Sequence, residues 1–102
     1  MTANIHLDEK LLINPNLEIL KNFQSTGYKS NHQSISKFIK NEGTNPYLDI
    51  LYDPQTNGPL LMVIKENKKD SFEEDFYNIY QRQPILIGNF ISKKEHWINV
   101  IN

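Results

Sequence analysis

Apolar residues occur along this chain in short blocks separated by Pro, Gly and Asn, and their spacing changes from block to block. Ile13, Leu17, Leu20 and Phe23 recur at helical intervals. Asn14-Pro15 supplies a capping side chain and then a residue whose missing N–H is tolerated at the first helical position. The pattern predicts a helix over about 15–25, with Gly27 as its left-handed stop. Ahead of it, Ile5, Leu7, Leu11 and Ile13 predict a short extended stretch. Ile35, Phe38 and Ile39 sit at i, i+3 and i+4, so residues 28–43 hold one or two helical turns ending near Gly43. Thr44-Asn45-Pro46 repeats the cap signal before Tyr47, Leu48, Ile50, Leu51 and Tyr52. Asp53-Pro54 then requires that helix to end by Tyr52, because a residue before proline avoids the helical region.

The second half reads differently. Gln55-Thr56-Asn57-Gly58-Pro59 is a turn by residue type. Leu60–Ile64 is a short run apolar on both faces and predicts a buried strand. Lys65–Lys69 is a charged loop, and Ser71-Phe72-Glu73-Glu74 matches a capping box. Phe72, Phe76, Ile79 and Tyr80 make one face of a helix over about 71–81. After Pro84, Ile85-Leu86-Ile87 predicts a second buried strand ended by Gly88, and His96–Ile101 alternates as a final strand. Strand 60–65, helix 71–81 and strand 84–91 form a right-handed βαβ unit on this reading, with its strands parallel or nearly adjacent. The expected fold class is an α/β (α+β) sandwich, a mixed sheet packed by helices.

Length and composition narrow the field. A chain of 102 residues allows one domain, spanning 1–102. The net charge is −1, and acids and bases balance along the chain: five of each in residues 1–51, seven acids against six bases in 52–102. A polyanion-binding protein carries an excess of Lys and Arg, so nucleic acid is not an expected partner. With no cysteine there is no disulfide scaffold, thiolate metal site or cysteine nucleophile. The longest aliphatic run, Leu60–Ile64, is far too short for a membrane span, and the first residues carry no secretory signal. A cytoplasmic protein without membrane partners is expected.

Few residues point to chemistry. His6, His32 and His96 are far apart in sequence and read as solvated side chains. No phosphate-binding glycine loop and no nucleophile elbow occurs. Glu73, Glu74 and Asp75 fall in the first turn of a helix, where they favour its positive end. Trp97 with Phe90 offers stacking surface for a base, although a core role on an edge strand is the simpler reading. No catalytic or metal-ligating residue is assigned.

One string stands out: Asp53-Pro54-Gln55-Thr56-Asn57-Gly58-Pro59-Leu60-Leu61. It resembles the Asp-Pro-Gln-Thr-Ser-Gly-Gly-Leu-Leu signature of selenophosphate synthetase (selenide, water dikinase) at seven of nine positions. Leu17-Glu18-Ile19-Leu20 followed by Thr26-Gly27-Tyr28-Lys29-Ser30-Asn31 is similar to that family's helix and its Gly-Gly-Thr-x-x-Asn turn. Ile5-His6-Leu7-Asp8 to Asn14-Pro15 resembles its extended lead-in strand, and Ile87-Gly88 its Ile-Gly-Glu, with Asn89 in place of Glu. The resemblance runs from about residue 5 to the end. It implies the later part of the synthetase C-terminal domain, a fold shared with aminoimidazole ribonucleotide synthetase.

The resemblance assigns a motif loop of Asp53, Pro54, Gln55, Thr56 and Gly58 as a ligand or interface contact, and a second motif turn of Thr26, Gly27, Lys29 and Asn31. In the family, the reactive Cys (or Sec), its Lys partner and the magnesium-binding aspartates lie in segments that this chain does not match. Phosphoryl transfer depends on positioning and charge neutralisation, so no activity is expected of the chain alone. Pro59 stands where the family has a second Gly, which removes an N–H from the loop. The expectation is a non-catalytic binding or interaction module, truncated relative to the family, forming a homodimer or bound to a separate N-terminal-domain protein. No cofactor is expected for it alone. The alternative is the C-terminal component of a split ATP- and magnesium-dependent selenide, water dikinase, with Asp53, Gln55, Thr56 and Gly58 at the edge of the nucleotide cleft. A third reading is a small-ligand-binding α/β sandwich with a pocket between helix 71–81 and the sheet, served by Tyr77, Tyr80 and Arg82, although these are more simply rim residues.

Overall fold

The computed structural model describes residues 1–12, 16–41, 43–54 and 59–101, with Leu20 described by its backbone alone. The expectations placed on Ile13, Asn14, Pro15, Gln55, Thr56, Asn57, Gly58 and the Leu20 side chain lie outside the described residues. The chain divides into two compact units, Met1–Gln55 with Ile87–Asn102, and Thr56–Leu86.

The first unit is built on a four-stranded mixed sheet. Its strands are β1 (Thr2–His6), β2 (Ile39–Asn41), β3 (Gly88–Ile91) and β4 (Ile98–Ile101), in the order β2-β4-β1-β3. β4 runs parallel to both β1 and β2, whereas β3 is antiparallel to β1. Cross-strand partners share a face, so the register sorts the side chains. Ile39, Ile98, Ala3 and Phe90 form one row, and Asn41, Val100, Ile5 and Gly88 the next on the same face. Val100 on that face is fully buried. The opposite face carries a polar row, Lys40, Asn99, Asn4 and Asn89, in which the Asn99 side-chain amide donates to Asn4 Oδ1 at 3.1 Å.

Two helices belong to this unit: α1 (Leu17–Asn22) and α2 (Thr26–Ile35). Asn16 caps α1, its side chain accepting from the Glu18 N–H at 3.1 Å. α1 is shorter than the predicted helix, and Phe23, expected on its apolar face, is 80% exposed. Gly27 does not stop α1. Ser25 Oγ accepts from the Tyr28 N–H at 3.0 Å, and this cap starts α2 at Thr26. The turns expected around Ile35–Ile39 are therefore the end of a helix that begins earlier. Ser36–Phe38 is a single 3-10 turn, and Ile39 enters β2. Asn45 accepts from the Tyr47 N–H at 2.9 Å in the turn just ahead, but the element that follows, Leu48–Leu51, is 3-10 rather than α-helical, and its own N-cap, Tyr47, makes no side-chain capping bond. It ends before Tyr52, as Pro54 requires.

The second unit contains α3 (Lys69–Tyr80); Phe72, Phe76 and Tyr80 line up along it as predicted, but it buries none of its residues, and Ile79, expected on the same face, is 71% exposed. Phe72 packs on Phe76 at 5.8 Å between ring centroids, and Phe76 on Tyr80 at 4.6 Å. The capping box does not form. A 3-10 turn at Glu66–Lys68 feeds straight into the helix, so Ser71 lies inside it and its hydroxyl donates to the Lys68 carbonyl at 3.1 Å. Gln81, at φ 53°, closes the helix in the left-handed region.

Three strand expectations are corrected. Leu60–Ile64 is not a strand: its side chains are 38–85% exposed, and residues 59–65 pair with no strand among the described residues. Apolar composition does not make a strand without a neighbouring ladder to accept its N–H and C=O groups. Ile85 and Leu86 are also exposed outside any strand, and β3 begins at Gly88, the residue expected to end it. A Cβ at Gly88 would overlap the Asn4 carbonyl oxygen, so glycine is required where β3 begins against the β1 backbone. With no strand at 60–65 and with β3 antiparallel to β1, the βαβ unit is absent; the parallel pairs are β1–β4 and β2–β4. β4 itself starts at Ile98, two residues later than expected, with His96 and Trp97 in the preceding loop. The α/β class holds, with a mixed sheet and three α-helices among the described residues.

Candidate functional site

The two stretches singled out by resemblance meet in the first unit. Thr26, Gly27, Lys29 and Asn31 do not form a turn; they are the opening of α2. From there Asn31 reaches across, its side-chain amide donating to the Tyr52 carbonyl at 2.9 Å. Gly27 faces Pro54 so closely that a Cβ added to it would lie 2.9 Å from Pro54 Cγ. Gly27 therefore serves a close approach between helix and loop rather than a left-handed backbone. Thr26 and Lys29 are exposed and make no part of this joint. Asp53 and Pro54 begin the motif loop, while Gln55, Thr56 and Gly58 lie outside the described residues.

Beneath the joint is an aromatic cluster that the sequence reading passes over. Tyr28 and Tyr52 are buried, and their rings meet edge to face at 5.8 Å. His32 closes on Tyr52 at 4.6 Å and stacks along Tyr28 at 6.2 Å. The Tyr28 hydroxyl donates to Asp49 Oδ1 at 2.6 Å, the short length expected of a hydrogen bond to a carboxylate. Burial first, and then the hydrogen bond to Asp49 and its charge, push the Tyr28 phenol well above its ordinary value. Burial and the Asp49 charge raise Tyr52 in the same direction. A phenol held protonated is a hydrogen-bond donor, and here the Tyr28 hydroxyl spends that donor on Asp49, tying α2 to the turn ahead of the motif loop. Tyr28, Asn31 and His32 stand at helical spacing, a signal that a stop at Gly27 would mask.

Other candidates do not converge. Trp97 lies flat on Phe38, ring centroids 4.1 Å apart and planes 10° apart. Tyr77 and Tyr80 are exposed on α3. Among the described residues no group of three or more His, Asp or Glu side chains has the geometry to hold a metal ion, so they do not supply a metal cage. No helix among the described residues is long and apolar enough to cross a membrane.

Over 76 residues the chain is 34% identical to the selenide, water dikinase of Clostridioides difficile (strain 630). The match takes in 72% of this chain and 22% of that protein, so the chain spans about a fifth of the length of the curated relative it matches. No protein-family model matches the chain. No solved structure matches it either. The similarity is therefore to a part of selenide, water dikinase, in agreement with the signature at Asp53–Leu61.

Proposed function

We propose that this chain is a selenophosphate synthetase-related binding or interaction module without catalysis of its own, with the fold of the later part of the synthetase C-terminal domain. The observation that carries the reading is a similarity confined to 22% of a dikinase, in a sequence that has no cysteine to act as the reactive residue. The Gly27–Pro54 packing and the protonated Tyr28 support a scaffolding role for the base of the motif loop. Pro59, which has no N–H, weakens any anion cradle there. Leu60 and Leu61, 85% and 77% exposed, offer apolar surface to a partner, either a second copy or a separate N-terminal-domain protein. The module works in the cytoplasm, with no nucleic acid or membrane partner and no cofactor of its own. Analytical ultracentrifugation at micromolar concentration tests this: a homodimer, or a complex with a candidate partner, is expected. A compact monomer that binds no partner overturns the reading, as does nucleotide consumption by the isolated chain.

The signature match favours one second reading, a split selenide, water dikinase in which a separate chain brings the metal carboxylates and the phosphate cradle. Asp53, Gln55, Thr56 and Gly58 would then edge the nucleotide cleft. Calorimetric titration with Mg-ATP separates the two readings. Heat only in a mixture with the N-terminal protein supports the split enzyme, and no binding in either case removes it.

A further inference from the structure

On the polar face of the sheet, remote in sequence from the motif loop, a cavity of about 360 Å³ is lined by Lys40, Ile91, Lys94, Glu95, His96 and Asn99. The topology builds it. Lys40 and Asn99 are cross-strand partners on β2 and β4, and Ile91 ends β3 on the same face, opposite Thr2. The β3–β4 loop then crosses this face instead of projecting into solvent. Thr2 holds it there: its hydroxyl donates to the His96 carbonyl and accepts from the Lys94 N–H, both at 2.8 Å, and the residue is fully buried. Trp97 secures the far end, its N–H donating to the Phe38 carbonyl at 2.9 Å and its ring lying on Phe38. The loop backbone at Lys94 and His96 is thus fixed before any ligand arrives, which lowers the entropic cost of binding.

The geometry points to a binding site for a small phosphate ester. Two lysines from separate elements, an imidazole and a carboxamide line one cavity, and several donors from different directions suit an oxyanion with three acceptor oxygens. The Asn99 side-chain amide donates to Asn4 Oδ1, and a carboxamide carries a further N–H donor and an acceptor oxygen. Glu95 supplies an acceptor for a hydroxyl of the organic part. The volume is in the range of small-ligand pockets, roughly 300–1,000 Å³, and exceeds what a bare anion needs. In a chain of net charge −1 this is local charge complementarity for one small anion, not a polyanion surface.

The test is an amide-resolved NMR titration of the whole chain with glycerol 3-phosphate at constant ionic strength, with glycerol as the uncharged arm and chloride as the ionic control. Saturable shifts at Lys94, Glu95, His96 and Asn99 are expected from the ester and not from glycerol or chloride. Lys40→Ala and Lys94→Ala each remove one charge-assisted contact and should weaken binding roughly tenfold. Glu95→Gln keeps the acceptor, removes the opposing charge and should tighten binding. Both lysines and Glu95 are exposed, so the three variants retain the amide spectrum of the folded chain. Shifts that fail to saturate, that match the chloride control, that centre elsewhere, or that survive both lysine substitutions overturn the site.

Discussion

Tyr28 donates its phenolic proton to Asp49 Oδ1 at 2.6 Å, joining α2 to the 3-10 turn that leads into the motif loop. The bond is formed by a buried ring and a partly buried carboxylate, so its removal leaves Asp49 without that donor. Tyr28→Phe keeps the ring packing against Tyr52 and His32 and deletes only the hydroxyl. It should cost about 1.5–3 kcal/mol, as for hydrogen bonds to charged groups, read as a lower urea midpoint with unchanged slope.

Tyr28 and its ring neighbour Tyr52 give the protein an alkaline limit. Tyr28 and Tyr52 hold their protons more tightly in the folded chain than the ordinary value of 10.0. The stability they contribute is whole below that value and falls as pH rises through the higher folded-state values. Of the five tyrosines, two should therefore ionise late or only as the chain unfolds. Phenolate absorbance and circular dichroism followed together check this. All five titrating near 10 with the fold intact would contradict it.

Gly27 tests the joint between the two motif stretches. In a helix, alanine is favoured over glycine by up to about 1 kcal/mol. Here its Cβ would stand 2.9 Å from Pro54 Cγ, on a ring that cannot swing away. Overpacking of this kind costs about 1–3 kcal/mol, so Gly27→Ala should be neutral to destabilising despite its better propensity. Gly27→Ala combined with Pro54→Ala should recover the propensity gain. A double-mutant cycle by urea unfolding measures the coupling.

Gly88 is the stricter case because its neighbour is backbone. A Cβ there meets the Asn4 carbonyl oxygen and lies 3.1 Å from Ile5 Cα, and neither can yield without moving β1. Gly88→Ala should separate β3 from β1 and cost more than about 3 kcal/mol, beyond the usual overpacking range. Faster amide exchange at Ala3–Ile5 together with a lower Tm would show it.

What was legible in the sequence was local. The aromatic ladder of α3, the turn at Asn45 and the stop before Asp53-Pro54 all depend on residues within a few positions of one another. What was not legible depends on distant partners. Leu60–Ile64 has strand composition but no ladder to join among the described residues, and Gly88 reads as a terminator until Asn4 is placed beside it. The strand order β2-β4-β1-β3 brings together residues more than 90 apart, such as Asn4 and Asn99, and no periodicity encodes that. Ser25 shows how little decides this: its one hydroxyl ahead of Gly27 makes a helix start of an expected stop and brings Tyr28, Asn31 and His32 onto one element.

Thr2 carries the last prediction because one hydroxyl serves both a donor and an acceptor of the β3–β4 loop. Thr2→Val preserves shape and volume almost unchanged, so packing in β1 survives. The Lys94 N–H and the His96 carbonyl, however, both lose their partner at a residue with no solvent exposure. Leaving a buried polar group unpaired costs about 1–3 kcal/mol, so the substitution should destabilise the chain by at least about 1 kcal/mol. It should also free the loop, read as faster exchange of the Lys94 amide while the β1–β4 amides keep their protection. Thr2→Ser, which restores the hydroxyl and loses only a methyl group, should recover the slow exchange. Equal exchange at Lys94 in Thr2→Val and the parent chain would mean that the contacts of Trp97, its backbone bonds to Phe38 and Ala3 and its stack on Phe38, hold the loop without Thr2.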